Sequence, residues 1–274
     1  MPSINTNVAA IKARSNLDRV QRDMDTSIAR LSSGKRITRA HDDAAGSAIV
    51  GRMESQIRGL NMSIRNAKDG QSLVDTQEGS AQEISAMLQR MRELAVQAAS
   101  GAMTSADKDY LHTEMTQLVA EVTATATNTK FNDTQVLTGT RFTFYHDIDV
   151  SGSKISTVAV ALTAKALGVT IKAVSIGSKG RAVSASINKI DVAISTVNSR
   201  RADLGAVSNR FDHIIDNLTN VVANTEAAKS RIEDADFAIE TTQLTRNTVL
   251  QQAATSMVAQ ANAQKNTILA LIQG

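Results

Sequence analysis

Three short groups of polar residues in this 274-residue chain have spacings that could support chemistry. SGSK (151–154) has the Ser-x-x-Lys spacing of a serine nucleophile, but it lies in a predicted turn without the partner motifs of that chemistry. HDD (41–43) and HTE (112–114) could supply metal ligands. The acids of the first group are better explained by the dipole of a helix predicted from about residue 44. With four histidines, no cysteine, no HExxH and no glycine-rich phosphate loop, we predict no enzyme activity, no metal site and no cofactor.

The composition favours long helices that pack along narrow seams. Aromatic residues make up 3% of the chain, tryptophan is absent, and the single proline is Pro2. A core of Ile, Leu, Val, Met and Ala suits helix-to-helix contacts, and no later proline interrupts a helix. The net charge of +3 comes from interleaved acids and bases, which argues against nucleic-acid binding. No apolar run is long enough to span a membrane, and we expect no Sec signal peptide, so an exported protein would use another route.

Apolar residues recur at alternating steps of three and four along two long segments. The first register predicts a helix over about 45–99, and the second runs over 183–225. A shorter helix is predicted over 106–127, after an N-cap at Thr104 or Ser105. Helices with seams this narrow require partner helices, so we expect them to pack against each other.

The centre of the chain is β-prone. Segments 141–150 and 155–162 are rich in β-branched and aromatic residues and are joined by the predicted turn 151–154. We therefore predict a β-hairpin subdomain over 131–179, with IKAVSI (171–176) as a further strand.

The two ends of the chain carry apolar stripes without aromatic rings. Their large members are Leu17, Val20, Met24, Ile28 and Leu31 near the amino terminus, and Leu250, Met257, Ile268 and Leu271 near the carboxyl terminus. The backbone entropy lost on ordering such an arm exceeds what burying these few side chains returns. We therefore expect neighbouring chains to supply the remaining contacts.

Specific sequence segments resemble bacterial flagellins. The segments are SINTNVAA (3–10), RLSSGKRITRAHDDAAGSAI (30–49), RMESQIRGLNMSIRNAKDGQSLVDTQEG (52–79), LQRMRELAVQAASG (88–101), RADLGAVSNRFDHIIDNL (201–218), SRIEDADFAIE (230–240) and QANAQKNTILALIQG (260–274). The first four are similar to the amino-terminal half of that family and the last three to its carboxyl-terminal half, in the same order.

The resemblance implies a structural subunit that self-assembles into the extracellular flagellar filament used for swimming. It implies a mainly α fold: an elongated antiparallel helical bundle or coiled coil with a small β-hairpin subdomain, whose terminal helices pair on assembly. The implied division is an N-terminal arm of the inner core domain (1–44), N-terminal rod helices (45–130), a β-hairpin and variable segment (131–179), a C-terminal rod helix (180–228) and a C-terminal arm of the inner core domain (229–274).

The resemblance also implies partners and contact residues. The partners are further copies of the chain, the type III flagellar export apparatus with its export chaperone, the hook–filament junction and cap proteins, and the host innate-immune flagellin receptor. No nucleic-acid or membrane partner is expected. The terminal stripes match the filament-core interface. Arg90, Leu94 and Glu114 match a surface that packs along the protofilament and that the receptor contacts. Leu94 lies off the main seam and is expected to be exposed.

Three other functions compete with this interpretation of the sequence. A hook–filament junction protein of the same superfamily shares parts of both termini, but the match in RMESQIRGLN (52–61) and QANAQKN (260–266) favours flagellin. A cytoplasmic coiled-coil adaptor would share the helical periodicity. An enzyme-bearing flagellin or surface hydrolase would require a catalytic domain, for which the short central segment leaves no room.

Overall fold

The computed structural model describes residues 6–145, 154–177 and 183–273, with side chains described as far as Gln264. Helices dominate these described parts of the chain. They are α1 (Val8–Ser33), α2 (Ala44–Ala98), α3 (Ser105–Asn128), α4 (Val183–Glu233) and α5 (Phe237–Gln273). The predicted mainly α class is confirmed. Among the described helices, none combines the length and hydropathy needed to cross a membrane.

Local sequence signals explain where three of these helices begin or end. Gly34 ends α1 in the left-handed region at φ 71°, where it donates its N–H to the carbonyl of Arg30. Asp43 precedes α2 and accepts the Gly46 N–H at 2.8 Å, which satisfies a free donor of the first turn. Thr104 and Asp107 form a capping box at the start of α3. Helix α4 continues past the predicted register to Glu233, because its last residues, AAKSRIE, contain no helix breaker.

The chain divides into two compact units, 1–57 with 223–274, and 58–222. In the first unit α1 packs against α5. The pairing is antiparallel, since Asn7 contacts Ala261 at one end and Arg30 contacts Glu240 at the other. The predicted pairing of the terminal helices is therefore present within a single chain.

The second unit contains a continuous aliphatic core drawn from α2, α3 and α4. Its helical members include Val74, Ala81, Ile84, Leu88, Met91, Met115, Val119, Val122, Ile190, Val197, Leu204 and Phe211. Polar pairs connect α2 to α4 beside this core, among them Glu78 with Arg201 and Arg92 with Asp191, each at 2.7 Å. The apolar seams predicted along the two long helices, α2 and α4, therefore pack in one core, as their spacing indicated.

Gly70 of α2 lies directly against the ring of Phe211 of α4. A Cβ built on Gly70 would lie 2.6 Å from the ring of Phe211, so a larger residue cannot fit without movement. Phe211 in turn meets the ring of Phe144 edge-on, with centroids 5.9 Å apart. Glycine at this position therefore lets one aromatic pair fasten the β-rich segment to the helices.

Two small antiparallel hairpins follow α3. The first pairs β1 (Lys130–Phe131) with β2 (Thr134–Gln135) through Asn132 and Asp133, which both have positive φ as the tightest hairpin turns require. The second pairs β3 (Thr143–Tyr145) with β4 (Lys154–Ser156). The predicted central hairpin is confirmed. Residues 146–153 lie outside the described residues, and β4 ends at Ser156, before the predicted limit at residue 162.

The remaining predicted strand segments do not form regular strands. Residues 157–162 are coil with an isolated bridge between Thr138 and Ala161 and a few backbone hydrogen bonds, such as that from the Leu162 N–H to the carbonyl of Leu137 at 3.0 Å. The expectation of a strand at 171–176 is wrong, since this segment is described as turn and coil. Val174 and Ile176 are fully buried there. Their apolar character thus reflects packing into the helical core and not membership of a sheet.

Candidate functional site: a self-association surface

Burial along α1 identifies the face that packs on α5. Half-buried side chains recur at steps of three and four, and they are Ala10, Ala13, Leu17, Val20, Met24 and Leu31. Ser27 is the buried residue of α1. The corresponding half-buried aliphatic residues of α5 are Leu244, Ala254, Val258 and Ala261. This contact is built from small and medium side chains and buries none of these apolar residues completely.

Polar contacts between described residues cross the α1–α5 pair. Asn7 donates its side-chain amide to the carbonyl of Ala261 at 3.0 Å, and Gln251 donates to Gln21 at 2.6 Å. The guanidinium of Arg30 pairs with Glu240 at 2.9 Å. Glu240 is only 5% exposed, so its charge requires this partner. No spacing pattern in the sequence reveals this ion pair, although Glu240 is the only acidic residue between 237 and 273.

The outward faces of the same two helices expose large apolar side chains. On α1 these are Val8 (51% exposed), Ile11 (59%) and Ile28 (47%); on α5 they are Phe237 (58%), Ile239 (55%), Val249 (59%), Leu250 (41%) and Met257 (61%). Apolar clusters of this kind mark interaction surfaces on folded proteins. In the α1–α5 pair, each helix therefore covers one face of the other, and large apolar side chains stay exposed outside this contact.

The predicted terminal stripes divide between these two surfaces. Leu17, Val20, Met24 and Leu31 lie half-buried in the α1–α5 contact, whereas Ile28 projects away from it. Leu250 and Met257 also lie on the uncovered side of α5. Ile268 and Leu271 fall beyond Gln264, outside the described side chains.

Arg90 and Glu114 form an exposed polar cluster that joins α2 to α3. The guanidinium of Arg90 contacts Glu114 at 2.9 Å and Glu93 at 3.1 Å. The hydrogen bond to Glu114, followed by that to Glu93, raises the pKa of Arg90 above its ordinary value. Arg90 and Glu114 therefore lie together on the surface.

The expectation that Leu94 is exposed is wrong. Its side chain is fully buried and belongs to the same core as Met115 and Val119 of α3. A helix that packs against two partners buries a wider face than a single 4,3 seam, so a residue beside the seam is covered too. The assignment of this region to protofilament and receptor contacts stays a prediction.

The HDD group, and Glu114 of the HTE group, have structural partners in the described parts of the chain. Asp42 accepts hydrogen bonds from the N–H groups of Thr38 and Arg39 at 3.0 and 2.9 Å and from the Thr38 hydroxyl. These bonds, that from Arg39 first, lower the pKa of Asp42 to about 2. His41 contacts Asp42 at 3.1 Å. In the described ranges no three His, Cys, Asp or Glu residues form a metal-binding group, and residues 151–153 lie outside them.

Comparisons with known proteins identify the family. The model of the bacterial flagellin N-terminal helical region matches residues 4–141, and that of the bacterial flagellin C-terminal helical region matches residues 187–272. Flagellin FlaB2 of Treponema pallidum is 37% identical over 98% of this chain and 99% of its own length. A flagellin of Halalkalibacterium halodurans is 40% identical over 98% and 99%. The crystal structure of Bacillus cereus flagellin is 34% identical, covers 60% of this chain and 94% of its own, and has a TM-score of 0.48.

These matches define a structural protein of the bacterial flagellum. The chain belongs to the bacterial flagellin family. It is a subunit of the flagellar filament.

Proposed function

We propose that the α1–α5 pair is the filament-core interface, and that neighbouring subunits cover its outward apolar residues. The observation that carries this proposal is the pattern of burial. Among the described side chains of α1 and α5, no apolar residue is fully buried, and eight large ones are more than 40% exposed. A filament subunit has identical copies at high local concentration to cover such a surface.

Within this interface, the stripe residues have two roles. Leu17, Val20, Met24 and Leu31 hold α1 against α5 within one subunit. Ile28, Leu250 and Met257 contact neighbouring subunits, because they already project from the pair. Ile268 and Leu271 continue the apolar stripe of α5 beyond the described side chains, and we assign them to the filament-core interface.

The test replaces two outward residues of α5 by charged ones. Burying each side chain is worth about 1.5–3 kcal/mol. Leu250→Asp combined with Met257→Asp should therefore raise the critical concentration for polymerisation by at least about a hundredfold. Sedimentation and electron microscopy of the purified protein measure this.

The matched control is Gln252→Asp combined with Ser256→Asp, which adds the same charge at exposed polar positions of the same helix. The control should polymerise more readily than the apolar variant, and both should keep the helicity of the parent subunit. Normal polymerisation of the Leu250 and Met257 variant would show that these residues do not face a neighbour.

A second surface is proposed at Arg90 and Glu114. Their ion pair is exposed and joins two helices, so its geometry is fixed while its polar atoms stay available to a partner. We assign it to the contact with the next subunit along the protofilament and, in free subunits, to the innate-immune receptor. Leu94 supports this surface from inside the core and does not form part of it.

The finer features of the function follow from family membership. We infer an extracellular filament, export by the type III flagellar apparatus with an export chaperone, contacts with hook–filament junction and cap proteins, and no enzymatic activity. The division into an inner core formed by 1–44 and 229–274, rod segments 45–130 and 180–228, and a variable segment 131–179 also belongs to this proposal.

A further inference from the structure

The chain segments at the roots of α1 and α5 lie side by side. Lys35 and Asp234 form an isolated antiparallel β-bridge. The Arg36 N–H donates to the carbonyl of Glu233 at 2.6 Å, and the Ala235 N–H donates to the carbonyl of Gly34 at 2.9 Å. We call residues 34–36 together with 232–235 the root clasp.

Side chains reinforce the root clasp. The ammonium of Lys35 contacts one carboxylate oxygen of Glu233 at 2.5 Å, and that of Lys229 approaches the other at 3.5 Å. Arg36 donates its guanidinium to the carbonyl of Ile232 at 2.6 Å. Glu233 is only 7% exposed, so two cations neutralise a charge that is largely removed from water.

The root clasp stands directly at the ends of the two helices that pair. Gly34 is the residue that ends α1, and Ala235 lies two residues before α5 begins at Phe237. The first side-chain contact along the pair, Arg30 with Glu240, follows within one or two turns. The root clasp therefore holds the end of α1 next to the start of α5.

A filament subunit faces a pairing problem that a monomer does not. Every copy brings an identical α1 and α5, and exchange of identical elements between copies is a low-cost route to association. Because every copy offers the same α1–α5 contact, the contact itself gives no preference for one copy over another. Tethering the two roots raises the effective concentration of each helix for its own partner.

We propose that the root clasp makes α1 of each subunit pair with α5 of the same chain and not with that of a neighbour. This inference rests on the proposed role of the α1–α5 pair in the filament core. Lys35 and Glu233 are then positioning residues for assembly. They determine which helices meet, while the apolar surface determines how strongly subunits associate.

The absence of cysteine from the chain allows a direct test. Gln21 and Gln251 meet across the pair at 2.6 Å, so Gln21→Cys and Gln251→Cys place two thiols on facing positions of the two helices. Filaments are grown from an equal mixture of the two single variants and then oxidised. Only a link between different chains can give a cross-linked dimer. Contacts between neighbouring pairs set the dimer fraction of the parent, so a rise above that level measures exchange.

Glu233→Lys in both chains breaks the root clasp, because it places a third ammonium beside Lys35 and Lys229. We expect the dimer fraction to rise by at least about two- to fivefold, the range that loss of one partly exposed ion pair supplies. The charge exchange Lys35→Glu with Glu233→Lys restores an ion pair and should return the dimer fraction toward the parent value. An equal dimer fraction in parent and Glu233→Lys filaments overturns the proposal.

Free subunits give a second readout for the case in which Glu233→Lys prevents polymerisation. In a chain carrying both Gln21→Cys and Gln251→Cys, the root clasp should speed closure of the disulfide within the chain. Glu233→Lys should slow this closure severalfold, and an unchanged rate overturns the proposal. Failure of the filament-core proposal is distinct, since it would appear as normal polymerisation of the Leu250 and Met257 variant whatever the cross-linking shows.

Discussion

Arg90 and Leu94 lie four residues apart on α2 and have opposite surroundings. Leu94 is fully buried, whereas Arg90 is held in solvent by Glu114 and Glu93. Truncating a buried leucine removes its transfer free energy and leaves a cavity, so Leu94→Ala should destabilise the subunit by about 2–5 kcal/mol. Val96, which is 50% exposed on the same turn, is the matched control, and Val96→Ala should change the melting temperature little. Thermal unfolding of free subunits followed by circular dichroism measures both.

A substitution at Arg90 distinguishes an effect on subunit folding from an effect on contacts between subunits. Arg90→Ala removes an exposed ion pair worth at most about 1 kcal/mol, so the melting temperature should hardly move. If the Arg90 cluster contacts the next subunit, polymerisation of Arg90→Ala should slow although the subunit stays folded. A melting temperature unaffected by Leu94→Ala would place that leucine on the surface instead.

At the scale of elements, one carboxylate orders the turn at residues 38–42, between α1 and α2. Asp42 accepts hydrogen bonds from Arg39 and Thr38, and these bonds lower its pKa to about 2. A group whose pKa is depressed by folding stabilises the protein above its ordinary pKa, and this contribution is lost as the pH falls through the folded value. Asp42→Ala should therefore lower the melting temperature near neutral pH. Its difference from the parent should shrink below about pH 4 and nearly vanish at about pH 2.

The control for this pH dependence is Asp18→Ala, which removes an exposed acid from α1. Removing this exposed side chain should change the melting temperature little at each pH of the series. Melting curves recorded across the acid range give both differences. A difference for Asp42→Ala that stays constant down to about pH 2 would mean that the carboxylate charge does not hold the loop.

Continuous periodicity made the helices predictable. The register that predicted a helix over 45–99 is realised in Ala44–Ala98, because one unbroken apolar seam finds partners along its length. The prediction of a strand at 171–176 is wrong because buried apolar residues in a turn and in a strand look alike in sequence. Val174 and Ile176 are covered by the helical core, which is a tertiary effect that local pattern does not contain.

The sequence predicts that the terminal helices carry an apolar association surface. It does not predict which apolar residues face the partner helix and which face outward. Spacing places Leu250 and Met257 on one stripe of α5, yet it does not tell which neighbour covers that stripe. The pair's own contact uses less prominent residues, such as Leu244 and Val258. Leu94 shows the same limit, since its burial depends on a third helix that packs beside α2. The root clasp depends on backbone bonds between segments far apart in sequence, and no side-chain pattern marks it.

Across the whole molecule, burial is distributed unevenly between the two units. The continuous core lies in unit 58–222, with fully buried residues on α2, α3 and α4. In unit 1–57 with 223–274, the described fully buried side chains of the terminal helices are those of Ser27 and Glu240, which are both polar. Ordering each residue costs about 1–2 kcal/mol of backbone entropy. Helices with so little burial are therefore expected to be only marginally stable in a free subunit.

This difference predicts that the terminal helices open in free subunits and close in filaments. Arg14, Arg19 and Arg22 on α1 and Arg246 on α5 are exposed trypsin sites on the helices expected to open. Limited digestion of free subunits should cut at these arginines and leave a stable fragment that contains 58–222. In filaments the same sites should be protected, because neighbouring subunits cover the outward face of the pair. Filaments dissociated by mild heating and digested again serve as the control and should regain the cleavage. Equal resistance of both ends in free subunits and filaments would mean that α1 and α5 are stable without neighbours, and the outward apolar residues would then need another explanation.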